Sequence, residues 1–382
     1  IYLRTAFCLC KDGASKFSLP AELSFDGFFG YYDKTPWSSD GRYYLYHSIL
    51  ADDSLGIEVA DLLNGTVSRL DVTSAWSTQQ GAMLQWLPDS AVVIFNTVFK
   101  NKLCSKIVLL KDKKSHLYPF PIQTVHPGGD NFLSLNYRRL YELHPEYGYS
   151  VDVENFSPFQ PDNADGIWCV SLKTGDSKLV LSIETLKYFE PRPEMDGAFH
   201  KVNHAMYSPS GKRFVFMHRW FGRKGKFSRL YVASAPDASD LKLLMDDRMV
   251  SHYSWRDDDH LIVYGRTLIK GDCYYLVNVA SGSIKPIGKG NLNRWGDGHP
   301  SYSLDRRWLI TDTYPDKCRV RRLLLWDTLE EELKEVGSFF APWKFDGKNR
   351  VDLHPRWSPD GSSISIDSAH EGKIRTYILS AF

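Results

Sequence analysis

A short phrase recurs along this chain: an aromatic residue, then Ser, Pro, Asp and Gly or close variants, then a run of strand-forming residues. Copies begin at Trp37, Trp86, Val125 (a degenerate copy), Tyr207, Trp255, Tyr302 and Trp357. Successive copies are therefore 49, 39, 82, 48, 47 and 55 residues apart, close to the length of one four-stranded propeller blade in all but one interval. Seven copies predict an all-β fold, a single seven-bladed β-propeller.

The chemistry of the phrase suits a turn between the innermost and second strands of each blade. Proline presets φ, while Asp and Gly accept the remaining turn geometry. The 82-residue interval predicts an insertion in blade 3 around residues 138–165, which lack clear alternation. We expect one domain over residues 1–382, because radial repetition enlarges a propeller without thickening its core. Part of residues 1–20 is expected to pair with the last blade and close the ring.

The charge balance excludes some classes of partner. The chain has 47 Lys and Arg against 46 Asp and Glu, so no global field favours nucleic acid or an anionic membrane. No apolar stretch is long enough to span a membrane, and the scattered cysteines form no CxxC pair. The chain begins with Ile rather than Met, which suggests trimming or a removed leader. We expect a monomer in the periplasm or outside the cell, with the cytoplasm as the alternative.

Histidine recurs at one position of the repeat. The residue three before each copy is His204, His252, His299 or His354 in the last four blades, although the chain holds only 12 histidines. This position begins the innermost strand, at one mouth of the central channel. Imidazoles gathered there could ligate one divalent cation such as Zn²⁺ or Mn²⁺. The alternative is that each histidine is hydrogen-bonded scaffolding of its blade.

Second strands end on the face where innermost strands begin, so further polar residues are expected beside the histidines. In the third blade the register residue is the apolar Ile122, which cannot be a ligand. Either of its polar neighbours, Gln123 or His126, could reach the same mouth instead, because the degenerate turn can shift the alignment by a few residues. Candidates for proton transfer or charge stabilisation are His126, His200, His218, Arg219 and Tyr314. Candidates for contacts with an acidic substrate are Tyr31, Lys34, Arg138, Arg139 and Arg266.

The sequence resembles the propeller polysaccharide lyases, which include oligogalacturonate and ulvan lyases. The resemblance rests on the phrases HPSYSLD at 299–305 and HPRWSPD at 354–360, on VNHAMYSPSGKRFVFMHRW at 202–220, and on DSAHEGK at 367–373. It implies a metal held on the propeller axis by three histidines and a glutamine, for which the four register histidines are the candidates. Gln123 is the nearest glutamine but lies outside the register. Arg219 is the best match to the arginine of ulvan lyases.

The resemblance implies β-elimination on an acidic poly- or oligosaccharide that contains uronic acid. A metal or Arg219 would neutralise the uronate carboxylate, and His126, His200, His218 or Tyr314 would take the C5 proton. One alternative is a glycoside hydrolase, for which Asp312 and Asp367 could supply paired carboxylates. The other is a non-catalytic propeller that binds carbohydrate or protein.

Overall fold

Seven antiparallel sheets form a ring in the computed structural model, which describes residues 21–88, 91–288 and 290–381. The predicted seven-bladed β-propeller is therefore confirmed. The first described strand is β1 (Ala21–Asp26), followed by β2 (Tyr43–Ile49), β3 (Leu55–Asp61) and β4 (Thr66–Thr73) of blade 1. A bridge between Trp37 and Tyr44 marks the innermost position of that blade.

Blades 2 to 4 follow the same order, from the innermost strand outward. Blade 2 has β5 (Gln85–Trp86), β6 (Val92–Phe99), β7 (Lys102–Leu109) and β8 (Ser115–Tyr118). Blade 3 has β9 (Thr124–Val125), β10 (Asn131–Ser134), β11 (Gly166–Ser171) and β12 (Ser177–Ser182). Blade 4 has β13 (Phe199–Tyr207), β14 (Arg213–Gly222), β15 (Gly225–Ser234) and β16 (Lys242–Met245).

Blades 5 to 7 complete the ring. Blade 5 has β17 (Val250–Trp255), β18 (His260–Thr267), β19 (Gly271–Asn278) and β20 (Ile284–Pro286). Blade 6 has β21 (Ser301–Tyr302), β22 (Trp308–Asp312), β23 (Val320–Asp327) and β24 (Glu332–Phe340). Blade 7 has β25 (Arg356–Trp357), β26 (Ser363–Ser368) and β27 (Arg375–Ser380), with β1 as its outermost strand.

The ring is closed by β1. This strand pairs antiparallel with β27, from Ala21 opposite Leu379 to Asp26 opposite Arg375. Residues 1–20, to which the sequence analysis assigned the closing strand, lie outside the described residues. Closure by a strand from the other end of the chain satisfies the backbone edge that β27 would otherwise present to solvent.

The long interval between the third and fourth phrases holds two non-repeating segments. Between β10 and β11 lie helix α1 (Tyr137–Leu143) and short 3₁₀ turns at Pro145–Tyr147 and Asp162–Ala164. Between blades 3 and 4 lie helix α2 (Ile183–Tyr188) and a turn at Pro193–Met195. The sequence located the first segment but not the second. None of the helices in the described part of the chain is long and apolar enough to cross a membrane.

The repeated phrase forms two recurring hydrogen bonds, one within its own turn and one to the neighbouring blade. Within the turn, the serine hydroxyl donates to the aspartate two residues later, at 2.5 Å for Ser38 and 2.6 Å for Ser358. The tryptophan indole donates to a carbonyl of the preceding blade, from Trp86 to Pro36 at 3.0 Å, from Trp255 to Met206 at 3.3 Å and from Trp357 to Ser301 at 3.1 Å. The aromatic residue of the phrase is therefore an inter-blade contact.

His47 joins three segments of the ring and predicts an acid-sensitive fold. Its Nδ1 lies 3.2 Å from the Phe28 carbonyl, and its Nε2 accepts the Ala82 amide at 3.2 Å, which requires the neutral ring. Burial lowers the pKa of His47 from 6.5 to about 4. The unfolded chain binds this proton below about pH 6.5, so we expect the free energy of unfolding to fall between pH 6.5 and about 4, by up to ~1.4 kcal/mol per pH unit.

Urea unfolding of the wild type and His47→Gln across this range checks the prediction. The variant should be less stable at pH 7 and less pH-dependent. An equally steep acid loss in both proteins would show that His47 is not responsible. Burial also lowers the pKa of His200 to about 4, so part of the slope should survive in the variant.

Candidate functional site

The four register histidines come together at one mouth of the central channel, which we call the histidine mouth. All four side chains are buried, with relative exposures of 1–4%. The ring centroids of His252 and His299 are 4.2 Å apart, and those of His299 and His354 are 4.3 Å apart. The structure therefore brings the four register histidines together.

Three of these imidazoles are oriented by a bond at Nδ1. His252 Nδ1 lies 2.9 Å from Asp297 Oδ1, and His299 Nδ1 lies 2.8 Å from Asp312 Oδ1. His354 Nδ1 lies 2.8 Å from the Gly30 carbonyl. The Nε2 atoms of His299 and His354 are buried without a hydrogen-bond partner among the described residues. An imidazole that is hydrogen-bonded at Nδ1 and has no partner at Nε2 has the arrangement of a metal-ligating histidine.

Asp352 adds a carboxylate to this set. One ligand atom from each of His299, Asp352 and His354 lies within 4.8 Å of the others, and this is the one such group in the described part of the chain. The guanidinium of Arg321 contacts Asp352 Oδ1, and Arg350 Nε lies 2.7 Å from its Oδ2. Although burial opposes ionisation, these two arginines hold the pKa of Asp352 below its usual range. The group is therefore a buried, ionised carboxylate beside two imidazoles.

His204 departs from the predicted ligand role. Its Nε2 lies 3.2 Å from the Tyr31 hydroxyl and its Nδ1 lies 3.2 Å from Gln80 Nε2, so both nitrogens are occupied. Its ring stacks on Tyr31 at 4.7 Å. The side-chain oxygen of Gln123 is also occupied, since Oε1 accepts a hydrogen bond from the Tyr137 hydroxyl at 2.8 Å. The arrangement favours His252, His299, His354 and Asp352 as the donor set.

The electrostatics disfavour protonation of His204, His252 and His354. Burial lowers the pKa of His204, His252 and His354, and neighbouring cations or imidazoles add to the effect. A neutral imidazole has the lone pair that a cation needs. His204 and His354 also have left-handed backbone, with φ of 57° and 45°. Such strain in non-glycine residues is held by surrounding structure and is common at functional sites.

Tyrosines line the cluster below and beside it. The Tyr32 ring lies 5.2 Å from His299, and its hydroxyl donates to the Tyr253 carbonyl at 2.7 Å. Tyr314 lies 6.1 Å from the His299 ring, and burial, with nearby Tyr147 and Asp352, raises its pKa. The structure therefore places Tyr314 at the histidine mouth, together with Tyr31, whose ring lies 5.0 Å from that of His354.

Two non-repeating segments cover the cluster. Tyr147, from the blade 3 insertion, packs edge-on against His204 at 4.9 Å. The loop before blade 7 is held from blade 2, where Thr78 Oγ1 donates to the Lys348 carbonyl at 2.7 Å and Gln79 Nε2 donates to the Arg350 carbonyl at 2.8 Å. The deep burial of the histidines follows from this cover.

Lys34 lies away from the histidine mouth, contrary to the prediction. It is ion-paired with Asp33 at 2.5 Å, and both residues line a cavity of about 430 Å³ at the opposite mouth of the channel. The ends of the innermost strands surround this cavity, and Tyr32 also lines it. Lys34 shares the register of the histidines, but its blade has only an isolated bridge at the innermost position.

His126 is also at the opposite end of its strand. It follows β9, where its Nε2 lies 3.2 Å from the Gly211 carbonyl and its Nδ1 accepts the Gly128 amide at 3.0 Å. The prediction that His126 reaches the histidine mouth is wrong. The degenerate third phrase concealed that this histidine belongs to the turn rather than to the strand start.

His200 and His218 form a separate buried pair. His200 Nδ1 lies 2.9 Å from His218 Nε2, and His200 pairs with Trp220 across β13 and β14. Arg219 lies on the other face of β14, because successive residues of a strand point to opposite sides. Its Nη2 approaches the Val250 carbonyl of blade 5 at 3.4 Å. The two histidines therefore do not share a surface with Arg219.

Three predicted arginines are placed outside the cluster. Arg139 is buried and forms ion pairs with Asp165 at 2.6 Å and Asp162 at 3.2 Å. Arg138 in α1 lies 3.4 Å from the Tyr149 carbonyl, and Arg266 is exposed and paired with Asp272 at 2.5 Å. These contacts hold local structure and leave no cation directed at the histidines.

Lys201, which the sequence analysis missed, lies beside the cluster. Its side chain is fully buried, and its Nζ has no hydrogen-bond partner in the described ranges. Burial and the charge of Arg219 lower its pKa. Arg219 is directly opposite Lys201 across β13 and β14, and its charge contributes to the low pKa of His204 and His252. The cluster of imidazoles thus has two basic residues beside it that form no ion pair in the described part of the chain.

Asp312 and Asp367, the two carboxylates considered for a hydrolase, are hydrogen-bonded to backbone amides. Asp312 accepts the amides of His299, Leu353 and His354 in addition to the His299 ring. Asp367 accepts the amides of Phe29 and Gly30 at 3.0 Å each and contacts Arg356 at 2.6 Å. Neither is arranged as half of an acid pair across a substrate.

Comparison with known proteins shows similarity in fold but not in sequence family. No protein-family model and no curated protein matches the sequence. An oligogalacturonate lyase in complex with manganese matches with a TM-score of 0.68 and 14% identity, over 96% of this chain and 94% of that one. An oligogalacturonate lyase from Vibrio parahaemolyticus matches with a TM-score of 0.67 and 12% identity, over 97% and 95%.

Another propeller of different function is also similar. The β-propeller domain of the trilobed protease from Pyrococcus furiosus matches with a TM-score of 0.53 and 11% identity, over 95% of each chain. At these identities the comparisons show that the chain is a seven-bladed β-propeller similar to those of oligogalacturonate lyases and of a protease. The function has to be argued from the site.

Proposed function

We propose that this chain is a lyase that cleaves a uronate-containing oligo- or polysaccharide by β-elimination at the histidine mouth. The observation that carries the proposal is the convergence of His299, His354 and Asp352. His252 packs against His299, and Lys201 and Arg219 form a cross-strand pair on blade 4. The manganese-bound oligogalacturonate lyase of the same fold supports the proposal. Neutral imidazoles and a carboxylate suit Mn²⁺ or Zn²⁺.

In this proposal a bound divalent cation would polarise the uronate carboxylate and so acidify the C5 proton. Arg219 neutralises the same carboxylate from the side of blade 4, as charge develops during proton removal. Asp312, Asp297 and the Gly30 carbonyl keep the imidazoles fixed in direction. The cover by Tyr147 and the loop before blade 7 limits water at the reacting centre.

Tyr314 is the proton-transfer candidate that the geometry retains. Of the predicted set, His126 lies at the opposite mouth and the His200–His218 pair faces away from Arg219. The raised pKa of Tyr314 keeps its hydroxyl protonated at neutral pH. We assign removal of the C5 proton to the neutral ring of His204, which lies outside the donor set, and transfer of a proton to the departing glycosidic oxygen to Tyr314. The proton that His204 gains then returns Tyr314 to its starting state.

Product analysis with acidic oligosaccharides tests the proposal. A lyase leaves a 4,5-unsaturated uronide, which absorbs ultraviolet light, whereas a hydrolase leaves new reducing ends without that absorbance. We expect Arg219→Gln to lower the rate at least ~100-fold, as loss of a charge-stabilising group does. Arg266→Gln, which removes an exposed and separately paired arginine, should leave the rate unchanged.

Two results would reject the lyase. Reducing ends without ultraviolet absorbance would favour a hydrolase on the same scaffold. The absence of any product from a panel of uronate glycans, with the protein folded and loaded with metal, would favour a non-catalytic binding propeller. The periplasmic or extracellular location and the monomeric state stay predictions.

A further inference from the structure

We propose that blade 4 provides a basic track that binds additional acidic groups of a glycan beyond the one at the histidine mouth. The track starts at the pair Lys201 on β13 and Arg219 on β14, where Arg219 serves the carboxylate at the histidine mouth. It continues to Lys226 on β15, which is placed to bind the next acidic group. This inference rests on the proposed substrate class, but it concerns binding along the chain of the glycan rather than the bond that is cleaved.

Strand register places these cations on one face of the blade. Lys201 is directly opposite Arg219 across β13 and β14, and Phe221 is directly opposite Lys226 across β14 and β15. Directly paired residues share a face, as do residues two apart on a strand, so all four side chains project to one side. The two pairs are about 7 Å apart along the strand.

The track begins at the histidine mouth and extends outward. Lys201 Nζ lies 5.8 Å from the centre of the Tyr147 ring, which packs against His204. The Phe221 ring connects the cations, with Lys201 Nζ at 5.4 Å and Lys226 Nζ at 5.9 Å from its centre. Lys201 and Lys226 are therefore connected through one aromatic ring, and Arg219 is directly opposite Lys201.

The charges of the track are not neutralised by the protein. Neither Lys201, Arg219 nor Lys226 forms an ion pair within the described ranges, whereas most arginines elsewhere in the chain do. Glu146 is the acid that acts on Lys201, and it is already 3.4 Å from His144. Burial lowers the pKa of Lys201, and an anion bound beside its Nζ would favour the ammonium form again.

The surroundings of the track point to an acidic carbohydrate. The β14–β15 hairpin adds Arg223 and Lys224 at its exposed tip, so the positive charge continues to the edge of the face. Phe221 offers an aromatic ring between two cations, a combination suited to a sugar ring with a carboxylate on each side. We infer that the ligand is a contiguous oligouronate, with at least two neighbouring acidic residues bound at once.

Binding of galacturonic acid oligomers, measured by calorimetry, tests the track. We expect the pentasaccharide to bind more tightly than the disaccharide and its affinity to fall with salt. Lys226→Gln should weaken pentasaccharide binding about fivefold and leave disaccharide binding unchanged, because only a longer chain reaches Lys226. Lys285→Gln, an exposed lysine on the outermost strand of blade 5, is the matched control and should change neither.

Lys201→Met separates a binding role from a structural one. It removes a buried amine without a partner, so the thermal midpoint should rise while affinity for both oligomers falls at least tenfold. A lower midpoint with unchanged affinity would overturn the proposal, as would equal binding of the two oligomers or equal losses in Lys226→Gln and Lys285→Gln. Length-dependent binding without an unsaturated product would reject the lyase and keep the track. An unsaturated product together with unchanged binding in Lys226→Gln and Lys201→Met would reject the track and keep the lyase.

Discussion

His299→Ala is expected to abolish stoichiometric binding of Mn²⁺ and with it the ultraviolet-absorbing product. His299 is the central imidazole of the cluster, between His252 and His354, and its Nε2 is buried without a partner. Loss of an outer-shell partner already costs about 10–100-fold in metal affinity, so loss of the central ligand should cost more. Metal content after dialysis against Mn²⁺ and titration calorimetry measure the effect.

The matched control is His116→Ala, which removes an exposed histidine from the outer strand of blade 2. It should retain the metal content of the wild type. His204→Ala should retain most of it too, because both nitrogens of His204 are already hydrogen-bonded. Full metal content in His299→Ala would remove His299 from the ligand set, and a wild type that binds no divalent cation would reject the metal site altogether.

Asp312→Ala is expected to cause the largest loss of stability of any substitution near the site. One oxygen accepts the His299 amide and lies 2.8 Å from the His299 ring nitrogen, and the other accepts the amides of Leu353 and His354 at 3.1 and 3.2 Å. Alanine would leave three buried amides unsatisfied, at about 1–3 kcal/mol each. We expect a total loss of about 3–6 kcal/mol, measured by urea unfolding at pH 7.

A surface carboxylate provides the comparison for this substitution. Asp272→Ala breaks the exposed pair with Arg266 and should cost less than about 1 kcal/mol. Asp312→Asn keeps one carbonyl oxygen and should fall between the two. If Asp312→Ala and Asp272→Ala unfold at the same urea concentration, the carboxylate does not join blades 6 and 7 as the geometry indicates.

The blade count and the histidine mouth were predictable because both depend on local, repeated chemistry. Each turn phrase specifies its own hairpin, so seven phrases are seven blades whatever the rest of the chain does. The histidines share a register within the repeat, and a ring converts a shared register into proximity. Asp297 and Asp352 carried a weaker signal of the same kind, since each lies two residues before a register histidine.

The predictions for the remaining site residues were wrong or missing for identifiable physical reasons. His218 and Arg219 were grouped because they are adjacent in sequence, although adjacent strand residues face opposite sides. His126 was misplaced because its degenerate turn hides the strand boundary. Lys201 has no motif, and its significance comes only from burial without a partner. The cover over the cluster comes from non-repeating segments, whose position depends on tertiary contacts that no local pattern encodes.

The indole bonds between neighbouring blades have a thermodynamic consequence for a closed ring. In a linear repeat array, a terminal unit has one interface and frays first. Here β1 completes the last blade, so every blade has two neighbours, and opening any one of them sacrifices two interfaces at once. Partly unfolded states with a single missing blade are therefore costly, and the ring should melt as one cooperative unit.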